Sequence, residues 1–131
     1  MPKSITTFLM FEGRAREAMD LYMSLVPNSE IVHMSTYGPQ GPGPEGSVMH
    51  AIFTINGQQV MVSDSYVKHA FTFTPSTSFF VQCDDAAEFE RLFAALSADG
   101  LVLMPPNNYG FSQRFAWCND RFGVSWQINV P

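Results

Sequence analysis

A chain of 131 residues holds one ordinary core or two very small ones, and its 46% hydrophobic and 14% aromatic content excludes a disordered polymer. Seven basic against twelve acidic side chains give a net charge of −5, so there is no electrostatic footprint for nucleic acid or for an anionic membrane surface. Charged residues make up only 15% of the chain, well under the usual share, which leaves a neutral surface or cavity to be explained.

The first apolar run, Phe8-Leu9-Met10-Phe11, is too short for a signal segment or a membrane span, so a cytoplasmic protein is expected. The run reads as a strand. A helix is predicted over about 14–26, with Ala15, Ala18, Met19, Tyr22 and Leu25 or Val26 on one stripe and Pro27-Asn28 as its stop. Strands follow at 30–37, 47–55 and 58–63, and Asn56-Gly57 between the last two is a strong hairpin signal. The Gly/Pro-rich stretch 38–46 reads as a mobile loop. The second half opens with a strand at 79–83 and a helix at about 85–98, with Asp84 or Asp85 as N-cap and Phe89, Leu92, Phe93 and Leu96 as its stripe. Strands at 101–104, 112–118 and 124–130 complete it, and Pro105-Pro106-Asn107-Asn108 reads as a turn. Cys83 and Cys118 have no zinc-like spacing and read as buried free thiols.

The halves repeat each other. At a constant offset of 71 residues Phe8 meets Phe79, Met10 meets Val81, Ala15 meets Ala86, Leu21 meets Leu92 and Leu25 meets Leu96. The unit is β-α-β-β-β, present twice, which makes the fold α+β. The same offset sets Thr7 on Ser78, and matching the last strands by turn glycine and apolar positions together, at a shifted offset of 64, sets Ser63 on Gln127.

Met49-His50-Ala51, Val62-Ser63-Asp64-Ser65, the run from Lys68 to Pro75, Tyr109-Gly110-Phe111-Ser112 and above all the block from Asp120 to Gln127 (DRFGVSWQ) carry a resemblance over nearly the whole chain. It resembles the vicinal oxygen chelate superfamily of glyoxalases, dioxygenases and bleomycin or fosfomycin resistance proteins. Within it, the PhnB-like branch often labelled 3-demethylubiquinone-9 3-methyltransferase is the most similar. The resemblance implies one glyoxalase-like domain over 1–131, with modules at about 1–64 and 72–131 and a linker at 65–71. It also implies curled sheets with helices outside, a site in the concave sheet and a homodimer. A methyltransferase of the usual kind needs a parallel sheet with a Gly-rich strand-to-helix turn, and no such pattern occurs in this chain.

Superfamily enzymes hold a divalent metal from the first and last strand of each module. The resemblance and the repeat both point to Thr7, Ser63, Ser78 and Gln127 for those positions. Three hydroxyls and an amide are poor metal ligands, so neither metal nor other cofactor is expected. The ligand-binding candidates are Thr7, His50, Ser63, Asp64, Ser78, Phe80, Tyr109, Phe111, Trp117 and Gln127. His50 alternates with Val48, Ile52 and Thr54 opposite the apolar Met49, Ala51, Phe53 and Ile55, so it should face the concave side. Asp64 could position a ligand, act as a base or cap a turn. Tyr109, Phe111 and Trp117 could form an aromatic wall or part of the core. The favoured function is metal-free binding of a small molecule. The alternatives are a metal-dependent lyase or dioxygenase with atypical ligands such as His50 and Asp64, a metal-free enzyme using those two residues, and an interaction module with a vestigial cavity.

Overall fold

The computed structural model describes residues 1–131, which form two compact units, 1–69 and 70–131. The first contains β1 (Thr7–Phe11), α1 (Ala15–Leu25), β2 (Glu30–Thr36), β3 (Val48–Ile55) and β4 (Gln58–Asp64). The second contains β5 (Ser78–Gln82), α2 (Ala86–Ser97), β6 (Leu101–Asn107), β7 (Arg114–Asn119) and β8 (Ser125–Val130). The strand orders are β1-β4-β3-β2 and β5-β8-β7-β6. In each sheet the first strand runs parallel to the last, and the remaining pairs are antiparallel. No helix is long and apolar enough to cross a membrane.

Each sheet has one face under its helix. In the first unit Leu9, Phe11, Ala51, Phe53, Val60 and Val62 are buried there, against Ala15, Ala18, Met19 and Tyr22 of α1. In the second, Trp126, Ile128, Ala116 and Cys118 meet Phe89, Leu92 and Leu96 of α2. Burying each large apolar side chain contributes about 1.5–3 kcal/mol. Phe93 is only half-buried and stacks on Phe89 with ring centroids 6.3 Å apart. The alternation expected along β3 holds from His50 onward, with Ala51, Phe53 and Ile55 buried and His50, Ile52 and Thr54 half-buried on the other side; it fails at the strand start, where Val48 is buried and Met49 is 44% exposed beside a register shift against β2.

The helices start differently. Asp85 caps α2 locally, its Oδ1 accepting from the Glu88 amide at 2.9 Å, while Glu88 Oε1 accepts from the Asp84 amide at 3.1 Å. Arg14 precedes α1 and makes no side-chain cap. Asp64, at the end of β4, takes that role: its Oδ1 accepts from the amides of Gly13 and Ala15 at 2.9 and 3.0 Å.

Asn56 and Gly57 both have positive φ, 51° and 80°, which is the turn that matches strand twist in a two-residue hairpin. Two other expectations need correction. Pro105 and Pro106 do not form a turn but lie within β6. That strand is at the sheet edge and shifts register between Met104 and Asn107, so the missing N–H groups cost the ladder little. The 38–46 loop is tethered by hydrogen bonds from the Tyr37 amide to the Ser47 carbonyl and from the Gly46 amide to the Tyr37 carbonyl, both 2.9 Å. Tyr37 is buried beneath it, and a Cβ at Gly43 would collide with the Tyr37 ring.

Candidate functional site

In the first unit the open face of the sheet, away from α1, carries Met10, Met61, Ser63, His50 and Ile52, all half-buried, with exposed Phe8 at the edge. Ser63 is on this face, and its hydroxyl donates to the Met49 carbonyl at 2.9 Å. Thr7 is not beside it. Thr7 has the parity of buried Leu9 and Phe11, so it begins the α1-side face at the exposed strand end. The residues that flank Ser63 across the β1 ladder are Met10 and Phe8. The pairing Met10 with Ser63 in β1/β4 corresponds to Phe80 with Gln127 in β5/β8, an offset of 70, one less than the 71 of the sequence match. That one-residue difference puts Thr7 and Ser78 on opposite faces.

His50 and Asp64 are also separated. His50 lies on the open face, whereas Asp64 has the parity of Val60 and Val62 and is buried on the α1 side. Its second oxygen accepts from the Val48 amide at 3.0 Å, which brings the carboxylate to three N–H donors. A carboxylate so engaged holds the backbone of β3, β4 and α1 together and has no lone pair directed at His50. The pair required by a two-residue acid–base or metal site is therefore absent. What His50 meets instead is His33, whose ring lies 6.0 Å away by centroids. Periodicity missed this neighbour because β2 shifts register between Ile31 and His33, which turns His33 to the open face opposite Ile52.

A cavity of about 220 Å3 lies at the end of β4, bordered by Ser47, Pro44, Asp64, Ser65, Tyr66 and Lys68. The Ser65 hydroxyl donates to the Val67 carbonyl at 2.9 Å, lies 2.9 Å from His69 Nε2 and accepts from the Val67 amide at 3.1 Å. Those bonds close a local turn and pin the segment after β4.

The second unit has a different open face. Ser78 and Phe80 of β5, Phe115 and Trp117 of β7, and Gln127 and Asn129 of β8 share it. Ser125 lies in the same row and is buried, its hydroxyl 2.7 Å from that of Ser78 and accepting from Trp117 Nε1 at 2.8 Å. Asn129 Nδ2 donates to Gln82 Oε1 at 2.8 Å. Above Phe115 sit the two loop aromatics: Phe111 at 5.1 Å and Tyr109 at 6.0 Å, both edge-on. Phe80 lies 6.4 Å from Phe115 on the other side. Of this aromatic group, sequence reading found Phe80, Tyr109, Phe111 and Trp117 but missed Phe115, the ring that the others surround. Its alternation with Trp117 along β7 was the available signal.

The positions at which the resemblance would hold a metal present hydroxyls and an amide. One of them faces α1, and two are already hydrogen-bonded to Met49 and Ser125. No cluster of three His, Cys, Asp or Glu side chains exists that could hold an ion. This donor set does not fit a divalent metal. Cys83 and Cys118 are free and lie on the α2 side or under it. Burial pushes both thiols up to about 11, aided by Glu88 at Cys83 and by Asp120 at Cys118.

Comparison with known proteins agrees with this architecture. A PhnB protein of Bacillus cereus is 53% identical, covers 98% of this chain and 100% of its own, and superposes with a TM-score of 0.95. Protein PA1353 of Pseudomonas aeruginosa is 30% identical over 98% of both chains, with a TM-score of 0.81. The fosfomycin resistance protein FosX of Listeria monocytogenes, at 14% identity and a TM-score of 0.62, shares the fold over 100% of this chain and 94% of its own. Protein YjdN of Escherichia coli is 24% identical, covering 96% of this chain and 94% of its own. The family model described as 3-demethylubiquinone-9 3-methyltransferase matches residues 3–129, and the chain belongs to that PhnB-like family of vicinal oxygen chelate fold.

Proposed function

We propose that the chain binds a small organic molecule on the open faces of its sheets, without a catalytic metal. The observation that carries this reading is the open face of the second unit. There Phe80 and Phe111 remain 53% and 62% exposed beside buried amides and hydroxyls, an arrangement of apolar walls with a few placed polar groups that suits ligand sites. Thr7, Ser63, Ser78 and Gln127 were expected to gather round the ligand, and the placement of Ser63, Ser78 and Gln127 on open faces favours those three.

The methyltransferase description of the family gives this chain no obvious cofactor cradle, since neither sheet has a Gly-rich strand-to-helix turn. An acid–base enzyme built on His50 would lack Asp64, which is committed to three backbone amides. A twofold homodimer burying at least about 1,200 Å2, in the cytoplasm, completes the proposal. Sedimentation at tens of micromolar tests it, and a species of 14.6 kDa would refute it.

The binding reading is tested by thermal shift against phenolic, quinone and glycopeptide-like compounds, with metal analysis of the same preparation. A ligand at a hundredfold excess over its Kd should raise Tm by roughly 5–10 °C. A flat screen, or a stoichiometric transition metal, would overturn it.

A further inference from the structure

We infer that the open face of the second unit is a platform for an uncharged, planar aromatic molecule bearing an N–H or O–H donor. This rests on the binding reading above and gives its ligand a chemistry.

The platform is aromatic and open. Phe80, Phe111 and Tyr109 are 53%, 62% and 37% exposed, and all three pack around Phe115. Tyr109 is held there at a cost. Its φ is +53°, a region that residues with a Cβ seldom enter, and its hydroxyl is tied back to the Pro105 carbonyl. Tyr109 and Gly110, with φ of +53° and +85°, form the turn that lays the Tyr109 ring on Phe115, and the outer faces of Phe80, Phe111 and Tyr109 remain in water. Offset or edge-on stacking of a flat ligand would use them.

The platform is also uncharged. The only ionisable side chain within β5–β8 other than the buried Cys118 is Arg114. It lies on the α2 side, 5.4 Å over the Phe89 ring and paired with Glu90 at 2.7 Å. An anion would therefore find no cationic partner on the strands of the open face, and in a chain of net charge −5 it would be repelled.

The donor requirement comes from Asn129. It is 6% exposed, its Nδ2 is bonded to Gln82, and its Oδ1 is buried with no partner. Asn119 Oδ1, further along the same face, is buried and unpartnered as well. Buried acceptors without donors are rare and costly. Asn129 sits between Phe115 and Gln82 across the two ladders. A donor on the edge of a ring stacked against the exposed Phe80 and Phe111 would satisfy it. Gln127, between Phe80 and Trp117, supplies a second amide for the same edge.

Carbostyril is a flat neutral lactam with one N–H, and N-methylcarbostyril is the same ring without it. Titration calorimetry of the full chain should show carbostyril binding, with N-methylation weakening it roughly tenfold or more. Phe111→Ala and Phe80→Ala should each weaken carbostyril roughly tenfold. In Asn129→Leu the two lactams should bind alike, and if that variant fails to fold, the wild-type comparison decides alone. The inference is overturned if N-methylcarbostyril, the acceptor-only naphthoquinone or the anionic quinaldate binds as well as carbostyril, if Phe111→Ala leaves affinity unchanged, or if carbostyril does not bind. It is equally overturned if Phe111→Ala converts a dimer to monomer, because the rings would then cover a second copy. Where other compounds of the thermal-shift screen still bind, such a failure falls on the platform alone; where none binds, the general reading fails with it.

Discussion

The two units fold the same chain path and secure it by different means. In the second, Asp85 caps α2 from the adjacent position, within a capping box completed by Glu88. In the first, the residue before α1 is an arginine with no capping bond, and the carboxylate arrives from Asp64, 49 residues beyond Ala15. The α2-side positions at the end of β8, Ile128 and Val130, are apolar and buried. Where the cap is local, the strand end is free to be core; where the cap is remote, the strand end must be acidic. The open faces diverge in the same way. One unit presents imidazoles, thioethers and a serine, and the other presents rings and amides without charge. The backbone topology was kept in both units, while the chemistry of cap and face was set separately in each.

The largest expected effect tests the shared part of this comparison. Phe89→Ala should destabilise by about 3–5 kcal/mol, because the ring is wholly buried and leaves a cavity. Phe93→Ala should cost about half as much, since that ring is half-exposed and stacked on the first. Urea unfolding of both variants measures this, and equal costs would mean that the α2 stripe is wider than its burial indicates. The caps come next. Asp64→Ala strips the acceptor from three backbone amides, two of them buried, and should cost at least about 3 kcal/mol. Asp85→Ala removes one exposed cap bond and should cost about 1 kcal/mol. Asp64→Ala at or below the cost of Asp85→Ala would break the argument for a remote cap.

The asymmetry also explains what the sequence revealed. Both helices, the Asn56-Gly57 hairpin and the two-faced alternation of β3 were legible, because each is a local pattern with a local cause. Asp85 was legible for the same reason. Asp64 could only be recognised as an acid near a strand end, since nothing near Arg14 announces that its helix lacks a cap. Thr7 was misplaced because the sequence match sits at an offset of 71 residues, while the strand pairing has 70. A period-two pattern turns that single residue into the wrong face. Pro105 and Pro106 read as a turn because edge position, which makes prolines tolerable in a strand, is a tertiary property. The His33–His50 contact depends on a bulge, which leaves no periodic trace.

The smallest effect is confined to the second unit, which holds both cysteines. Cys83 follows β5, and its amide donates to the Asn129 carbonyl at 2.7 Å, while Cys118 is fully buried on β7. Burial raises both thiols from 9.0 to about 11. Since the thiolate is the reactive form, each should react with a disulfide reagent at pH 8 about a hundredfold more slowly in the folded protein than in urea. The same shift fixes a stability profile. The unfolded chain loses these protons near pH 9 and the folded chain only near 11, so the folded state binds more protons between those values. The stabilisation is complete below about pH 9 and declines as pH rises towards 11. Tm should fall over that interval, and a Cys83→Ala, Cys118→Ala double variant should fall less steeply than the wild type. Equal slopes would show that the thiols are reached by solvent without unfolding, in which case α2 and the sheet beneath it open locally.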